Sequence, residues 1–599
     1  MESQPDDVAV NHLGLWIPAP RFESESGYFM EIDETRELIE KYALQNAVKY
    51  GKTPQTGAVL GKVLGAHPDL RKDAKEVASL VGEVLSGLTG DPESWEQRLG
   101  EIAPDLIDEI HERKQPSIGL PDLEIDGDRA VLRFAPNPNG PATIGSVRGI
   151  VVNSEYAHRY HGEFIIRFDD TDPKTKAPML DAYTWYLDDC EYLGTVPDRV
   201  VYASDHIITY YEYAKKLILM GKAYVCTCPR DEFKRYKDAC EPCPHRDADV
   251  DANLKHWERM LDGGYHEGGA VLRIKTDIKH KDPAMRDWAA FRIVETAHPR
   301  AGIGDRFRVW PLLDFESAIE DHVLGITHII RGKDLRDSEQ RQRYVYEYLG
   351  WQYPKTIHWG RMKIHEFGRF STSAISEAIS DGTYTGWDDP RVPTLRALRR
   401  RGITAVAIRK FMLDLGIAET DISLSLDNLY AINRKIVDPE ANRYFFVWEP
   451  VRMEILDAPD VIATPKCHPG RDDLRKIPAG STLYVCRTDI EGLEAGDKLR
   501  LKNLYDIEIV STEPLVARCI GGTHEAWCAT CEKPRYQIIH WVPDGHVPVV
   551  VRAPDQTYEG VGETGIVEEL ENVVQFERFG FVRIDSVDAG RVVAYFAHR

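Results

Sequence analysis

The stretch between residues 130 and 172 limits the fold most. A run of β-formers, AVLRF (130–134), leads into a Pro/Asn/Gly loop. Val147, Ile150, Val151 and Tyr156 then mark one face of a helix, and a second strand, EFIIRF (163–168), ends in Asp169-Asp170-Thr171-Asp172. Strand, helix, strand in this order predicts a parallel, doubly wound sheet with its ligand site beyond the carboxyl ends of the strands. The loops at 135–146 and 169–173 both fall there. VVYAS (200–204), a helix carrying Ile207, Tyr210, Ala214 and Leu217, and the later run THIIRGKD (327–334) continue the same alternation.

Other patterns flank this core. Residues 1–30 lack periodicity and are expected to form a disordered tail. Leu38, Ile39, Tyr42, Ala43 and Ala47, and later Leu70, Ala74, Val77, Leu80 and Val81, recur at helical spacing and predict an N-terminal helical domain over 31–125. The Rossmann-type catalytic domain is expected over 126–350, interrupted at about 225–300. A helical connecting region follows at 351–445, and an all-β barrel region at 446–599, where LRLKNLYDIEIV, VPVVVRA and RVVAYF are strand-like. The expected class is therefore multidomain α/β.

No run approaches the ~18 apolar residues of a membrane span. The start, MESQPDDVAV, has no basic residue before Arg21 and does not read as a signal peptide, so a cytoplasmic location without membrane attachment is expected. A net charge of −22 argues against wholesale sticking to nucleic acid, although a basic stripe on an acidic body still binds it. Ten cysteines are too few for a disulfide scaffold. Cys226, Cys228, Cys240 and Cys243, followed by His245, have zinc-knuckle spacing. Cys528 and Cys531, with Cys519 or His524, form a weaker candidate.

In the loop APNPNGPATIGS (135–146), Gly140 and Gly145 let a bound group approach the backbone, and the helix start that follows favours phosphate. Arg133, at the end of the first strand, suits a carboxylate or an internal salt bridge. Arg396, Arg399, Arg400, Arg401, Arg409 and Lys410 form a basic run that reads as a phosphate-binding stripe or a solvated helix face.

RFAPNPNGPATIGS, followed about 30 residues later by IIRFDDTDP, resembles the signature region of class I aminoacyl-tRNA synthetases of the glutamyl/glutaminyl branch. The likeness extends through KYALQNAVKYG, WPLLDFESAIEDHVLGITHIIRGKD and GWDDPRVPTLRALRRRG to the β-rich C-terminus, which is similar to the archaeal type. The resemblance implies ATP- and Mg²⁺-dependent attachment of glutamate to tRNA(Glu), with tRNA(Gln) as a further substrate in some members, by a monomer whose β region reads the anticodon. It assigns Arg133, Ala135, Asn137, Asp169, Ser317 and Arg331 to the amino-acid pocket. Asn137, Gly140, Thr143, Gly145, Ser146, Arg361, Met362 and Arg369 fall to ATP. Thr143, Gly145, Ser146, Ser371 and Ser373 fall to catalysis, and Thr171, Asp172, Arg396, Arg399, Arg400 and Arg401 to tRNA. Zn²⁺ is implied at the Cys226, Cys228, Cys240, Cys243 group.

The chain departs from the family pattern in three places. Thr143-Ile144-Gly145-Ser146 lacks the histidines of the first signature, and Phe370-Ser371-Thr372-Ser373-Ala374 lacks the lysines of the second. Leu313 stands where many relatives have tyrosine. Lys333, Lys363 and Arg369 are candidate substitute cations. A glutaminyl enzyme and a non-catalytic tRNA-binding relative are the competing readings.

Overall fold

The computed structural model describes residues 22–23, 29–30, 32–50, 52–104, 106, 119–127, 129–367, 371–524 and 536–599. They fall into two units, residues 1–118 and 119–599. Within the expected tail, Phe22–Glu23 pairs antiparallel with Phe29–Met30. The remainder of residues 1–28 lies outside the described residues.

The first unit is built from α1 (Ile32–Tyr50), α2 (Thr56–Ala66), α3 (Ala74–Gly87) and α4 (Pro92–Ile102). The apolar residues of α1 serve two cores. Ile39 and Ala43 pack with Val59, Val63, Val77 and Val81, while Leu44 and Ala47 pack with Trp95 and Leu99. Asp91 starts α4 through a capping box with Ser94, and Pro92 supplies the preset first turn.

The second unit contains β1 (Val131–Phe134), α5 (Ile144–Arg159), β2 (Glu163–Phe168), α6 (Leu180–Leu193), β3 (Arg199–Tyr202) and α7 (Ile207–Leu219). A four-stranded antiparallel insertion follows: β4 (Ala223–Cys226), β5 (Val271–Ile274), β6 (Ala289–Ile293) and β7 (Val309–Pro311). Between β4 and β5 lie α8 (Arg230–Ala239) and α9 (Val250–Leu261). The chain then returns through α10 (Leu313–Val323), β8 (His328–Gly332), α11 (Arg336–Leu349) and β9 (Lys355–Trp359).

The five parallel strands run in the order β9-β8-β1-β2-β3. From β1 the chain winds outward through β2 and β3, then restarts on the other side at β8. The carboxyl ends of β1 and β8 therefore form the switch point at which such sheets bind ligands. Gly162 precedes β2 because a Cβ there would sit 1.7 Å from the Ala130 carbonyl oxygen.

The connecting region holds β10 (Met362–Ile364), α12 (Thr372–Ser380), α13 (Leu395–Arg400), α14 (Ala405–Asp414), β11 (Ile422–Leu424) and α15 (Asp427–Val437). Beyond it, two seven-stranded barrel-like sheets enclose separate cores, one around Leu483, Leu501 and Trp541, the other around Phe446, Val549 and Phe576. LRLKNLYDIEIV is a hairpin, Lys498–Leu501 against Asp506–Thr512, with Asn503 at φ 57° in its turn.

His598 joins the last strand to α15. Asn433 Nδ2 donates to its Nε2 at 3.0 Å, which requires that nitrogen to be unprotonated. Burial pushes the imidazole down to about 4. Because the folded value lies below the unfolded one, the contribution of His598 is full above pH 6.5 and is lost as the pH falls towards 4. Denaturation between pH 7 and 4 is expected to show a loss of about 3 kcal/mol from this group, absent in His598→Gln.

Candidate active site

A cavity of about 410 Å³ opens at the β1/β8 switch point, lined by Arg133, Ala135, Thr143, Gly145, Ser146, Asp169, Ser317, Arg331 and Trp359 among others. Most of the expected amino-acid and first-signature residues therefore share one wall. Gly145 faces open space, since a Cβ there would meet only Thr143 Oγ1 at 3.8 Å. The Thr143 and Ser146 hydroxyls lie 3.4 Å apart.

The residue that organises this wall is Arg167, which sequence reasoning missed. It is fully buried. Its Nε donates to Asp169 Oδ1 at 2.7 Å, Nη1 to Asp321 Oδ1 at 2.7 Å, and Nη2 to Ser317 Oγ at 2.9 Å and Asp169 Oδ2 at 3.3 Å. Asp321 also receives Arg133, from Nε at 3.0 Å and Nη2 at 3.2 Å. One carboxylate thus ties β1 and β2 to α10. The available signal was an arginine inside an apolar parallel strand, and acidic residues at 316, 320 and 321 on a helix that also carries the apolar Phe315, Ala318 and Ile319.

Burial pushes Asp321 up, but Arg133 and Arg167 outweigh it and hold the carboxyl below its ordinary value. Burial also raises Asp169, opposed by the two-oxygen grip of Arg167. Glu316 lies 3.5 Å from Arg167, is fully buried, and has no hydrogen-bond partner on either oxygen. Burial and the nearby Asp169 push its carboxyl well above the usual range, so it is the neutral acid of the group.

Arg331 differs from the other two guanidiniums. It donates only to neutral acceptors, Gln342 Oε1 at 3.1 Å and the Tyr353 hydroxyl at 2.9 Å, and its buried Nε has no partner. Arg133 and Arg167 are ion-paired to Asp321 and Asp169, whereas Arg331 has no carboxylate within 4 Å among the described residues, so the unneutralised guanidinium of the pocket is Arg331.

Other expected residues fall elsewhere. Asn137 is absent from the cavity wall: its Nδ2 donates to the Asp169 carbonyl at 2.9 Å and steadies the loop after β2. Gly140 packs against α12, where a Cβ would meet Thr372 Cγ2 at 2.5 Å. Ser371 caps α12 by accepting from Ala374 N at 3.2 Å, and Ser373 is exposed on its first turn. Arg361 N donates to Asp421 Oδ1 at 2.7 Å, and Met362 pairs with Ile422. Lys333 is ion-paired to Asp421 at 2.8 Å. Lys363 is an exposed residue of β10, and Arg369 lies outside the described residues. Thr171 is buried, and Asp172 pairs with Arg292 at 2.7 Å. Leu313 is 42% exposed at the cavity rim.

The basic run divides by helix face. Arg401 is buried and donates to the Phe596 and Ala597 carbonyls, at 2.9 and 2.8 Å. Arg400 pairs with Asp388 and Asp585 and covers the Tyr595 ring. Arg401 is thus a buried strut, whereas Arg400 also lines a cavity with Arg396 and Arg399. Arg396 and Arg399 make no ion pair within 4 Å among the described residues and rest over Trp185 and Tyr192.

The expected zinc set changes by one residue. Cys226, Cys228, Cys243 and His245 bring their ligand atoms within 4.8 Å of one another. Cys240 instead caps α8 in the left-handed region, at φ 60°, outside this group. Cys226 and Cys243 Sγ are 3.9 Å apart, and Cys228 Sγ is 3.3 Å from His245 Nδ1. These are close to the edges of a tetrahedron with bonds of about 2.0–2.3 Å. Thr227 Oγ1 lies 2.8 Å from His245 Nε2 and orients the ring. Cys528 and Cys531 lie outside the described residues.

Comparison with known proteins agrees with this arrangement. Residues 129–439 match the family described as tRNA synthetases class I (E and Q), catalytic domain, and residues 441–519 and 538–585 match its anti-codon binding domains. The chain is 61% identical to the glutamate–tRNA ligase of Methanococcoides burtonii over 95% of this chain and 99% of that protein. It is 50% identical to the glutamate–tRNA ligase of Archaeoglobus fulgidus over 94% and 99%, and 46% identical to that of Pyrococcus abyssi over 94% and 100%. By the family models that it matches and by relatives matched along nearly their whole length, the chain belongs to the class I tRNA synthetases of the glutamyl/glutaminyl branch.

Proposed function

We propose that this chain activates glutamate with ATP and transfers it to the 3′-terminal adenosine of tRNA(Glu). The carrying observation is the single unneutralised charge at Arg331. Glutamate has a net charge of −1 and glutamine none, so a pocket with one spare guanidinium favours the diacid. Breaking such a pair costs roughly 2–5 kcal/mol, enough to discriminate against the amide. Arg331 takes one carboxylate, Arg133 offers its remaining Nη1 to the other, and Asp169 faces the ammonium. The same spare charge disfavours the glutaminyl reading.

The α-carboxylate attacks the ATP α-phosphate in line, and pyrophosphate leaves as its bond to the α-phosphorus breaks. A ribose hydroxyl of the terminal adenosine then takes the glutamyl group, losing its proton as AMP leaves, with positioning and electrostatics supplying the rate. Thr143, Ser146 and the backbone beside Gly145 donate to phosphate oxygens, and Mg²⁺, which the family uses in general, offsets the phosphate charge. Arg361 and Met362 are assigned to ATP, and Ser373 to catalysis, by the resemblance to the family alone. Unpaired Arg396 and Arg399, with Thr171 and Asp172 near the terminal adenosine, form the tRNA contacts of this unit. Among the described residues no helix is long and apolar enough to cross a membrane. A cytoplasmic monomer is the state proposed, and tRNA(Gln) is a second candidate acceptor. Charging of tRNA(Glu) transcripts with labelled glutamate tests the reading: glutamyl-tRNA that depends on ATP supports it, and its absence refutes it.

A zinc ion fits the Cys226, Cys228, Cys243, His245 group and would brace the insertion. Metal analysis of the purified protein is expected to give one zinc per chain. Cys243→Ser should abolish it and Cys240→Ser should retain it. The reverse result would restore Cys240 as a ligand.

A further inference from the structure

Three arginines line the amino-acid cavity, and two of them are held by carboxylates. Asp321 takes Arg133 and Arg167, and Asp169 takes Arg167 again. A carboxylate is the ordinary partner of a buried guanidinium, because an uncompensated charge is costly away from water. Arg331 breaks this rule. Its Nη1 donates to Gln342 Oε1 at 3.1 Å and its Nη2 to the Tyr353 hydroxyl at 2.9 Å, although Arg331 and Gln342 are both buried.

Gln342 belongs to α11, Arg331 to β8, and both line the cavity. The Gln342 amide has one workable orientation. Its Oε1 accepts from Arg331 Nη1 and also from the Tyr353 hydroxyl, at 2.7 Å, so an amino group in that place would face the guanidinium donor. The three side chains therefore close a ring of hydrogen bonds in which every acceptor is neutral. Gln342 Nε2 hydrogen-bonds nothing among the described residues, so a cavity-lining side chain keeps a free donor. A carboxyl group has nearly the shape of this amide and would hold Arg331 at least as firmly; the two differ in the charge left over.

We propose that Gln342 is a specificity-determining residue. Its carbonyl oxygen orients Arg331 without neutralising it, and its free amide donor joins the guanidinium in receiving the side-chain carboxylate of the substrate. The inference deepens the reading of this cavity as a glutamate site and rests on it. Glutamine would bring an uncharged amide to the same place and leave the guanidinium desolvated without a countercharge. Discrimination thus depends on the neutrality of the group at 342 as much as on the cation at 331.

Gln342→Glu in the full chain tests this. Affinity is measured for the non-hydrolysable sulfamoyl analogues of glutamyl- and glutaminyl-adenylate, which differ only at the side-chain carboxyl and need no turnover. Wild type should bind the glutamyl analogue more tightly. In Gln342→Glu the introduced charge cancels that of Arg331, so affinity for the glutamyl analogue is expected to fall by about 30-fold or more while that for the glutaminyl analogue changes little. An equal fall for both would overturn the proposal, since disturbed packing gives that result, and so would an unchanged preference. If Gln342→Glu does not fold, Gln342→Met carries the test. It is neutral, of similar length, and leaves Tyr353 on Nη2, so the preference should persist even as both affinities fall; its loss would overturn the proposal. Wild-type protein that prefers the glutaminyl analogue, or binds neither, would instead refute the glutamate reading, and the inference with it.

Discussion

Arg331→Ala is expected to lower kcat/KM for glutamate by roughly 30-fold to several thousand-fold, the range that corresponds to 2–5 kcal/mol for truncating one partner of a buried charge pair. The effect is large because Arg331 is the one guanidinium of the cavity that meets only neutral protein groups. A bound carboxylate would lose its countercharge, the Tyr353 hydroxyl would lose its guanidinium donor, and Gln342 Oε1 would keep only the Tyr353 hydroxyl, at 2.7 Å. Arg331→Lys should rescue only in part, since an ammonium carries the charge but lacks the planar fork that reaches both acceptors and a carboxylate together. Steady-state kinetics of tRNA charging with glutamate check the prediction, and an unchanged kcat/KM in Arg331→Ala would remove Arg331 from the pocket's chemistry.

Asp321→Asn should act first on stability. Asp321 neutralises Arg133 and Arg167 together, and all three side chains are almost fully buried. Removing its charge leaves two guanidiniums beside one another with only Asp169 to share, a change expected to cost about 3–5 kcal/mol. Chemical denaturation of the purified variant measures it. The pH dependence follows from the depressed carboxyl. The contribution of Asp321 is fully present above its ordinary value of 3.8 and is lost only as the pH falls below that. At pH 7 the full deficit should therefore separate wild type from Asp321→Asn.

The Rossmann-type sheet was legible because β1, α5 and β2 each carry a clean period and are separated by turn chemistry, so local pattern and tertiary arrangement agree. The same logic located the ligand loops, since residues at strand ends must lie at the carboxyl edge. What escaped was anything decided by contacts between distant segments. Arg401 looks like its neighbours in the run RALRRRG, yet its helix face turns it towards carbonyls of the last strand, 195 and 196 residues away. Cys240 has correct spacing for a ligand, but the left-handed end of α8 removes it and His245 takes the position. Arg167 is invisible to periodicity because a buried strand has no polar face to mark it, and only a charge in an apolar run hints at a paired network. Asn137 matches a pocket motif in sequence, while its side chain turns back to the Asp169 carbonyl.

ATP–pyrophosphate exchange, run with glutamate or with glutamine in the presence of tRNA(Glu), tests the charge argument most directly. A pocket with one spare positive charge predicts exchange with glutamate and little or none with glutamine. Exchange driven by glutamine, or none with either amino acid, would contradict it.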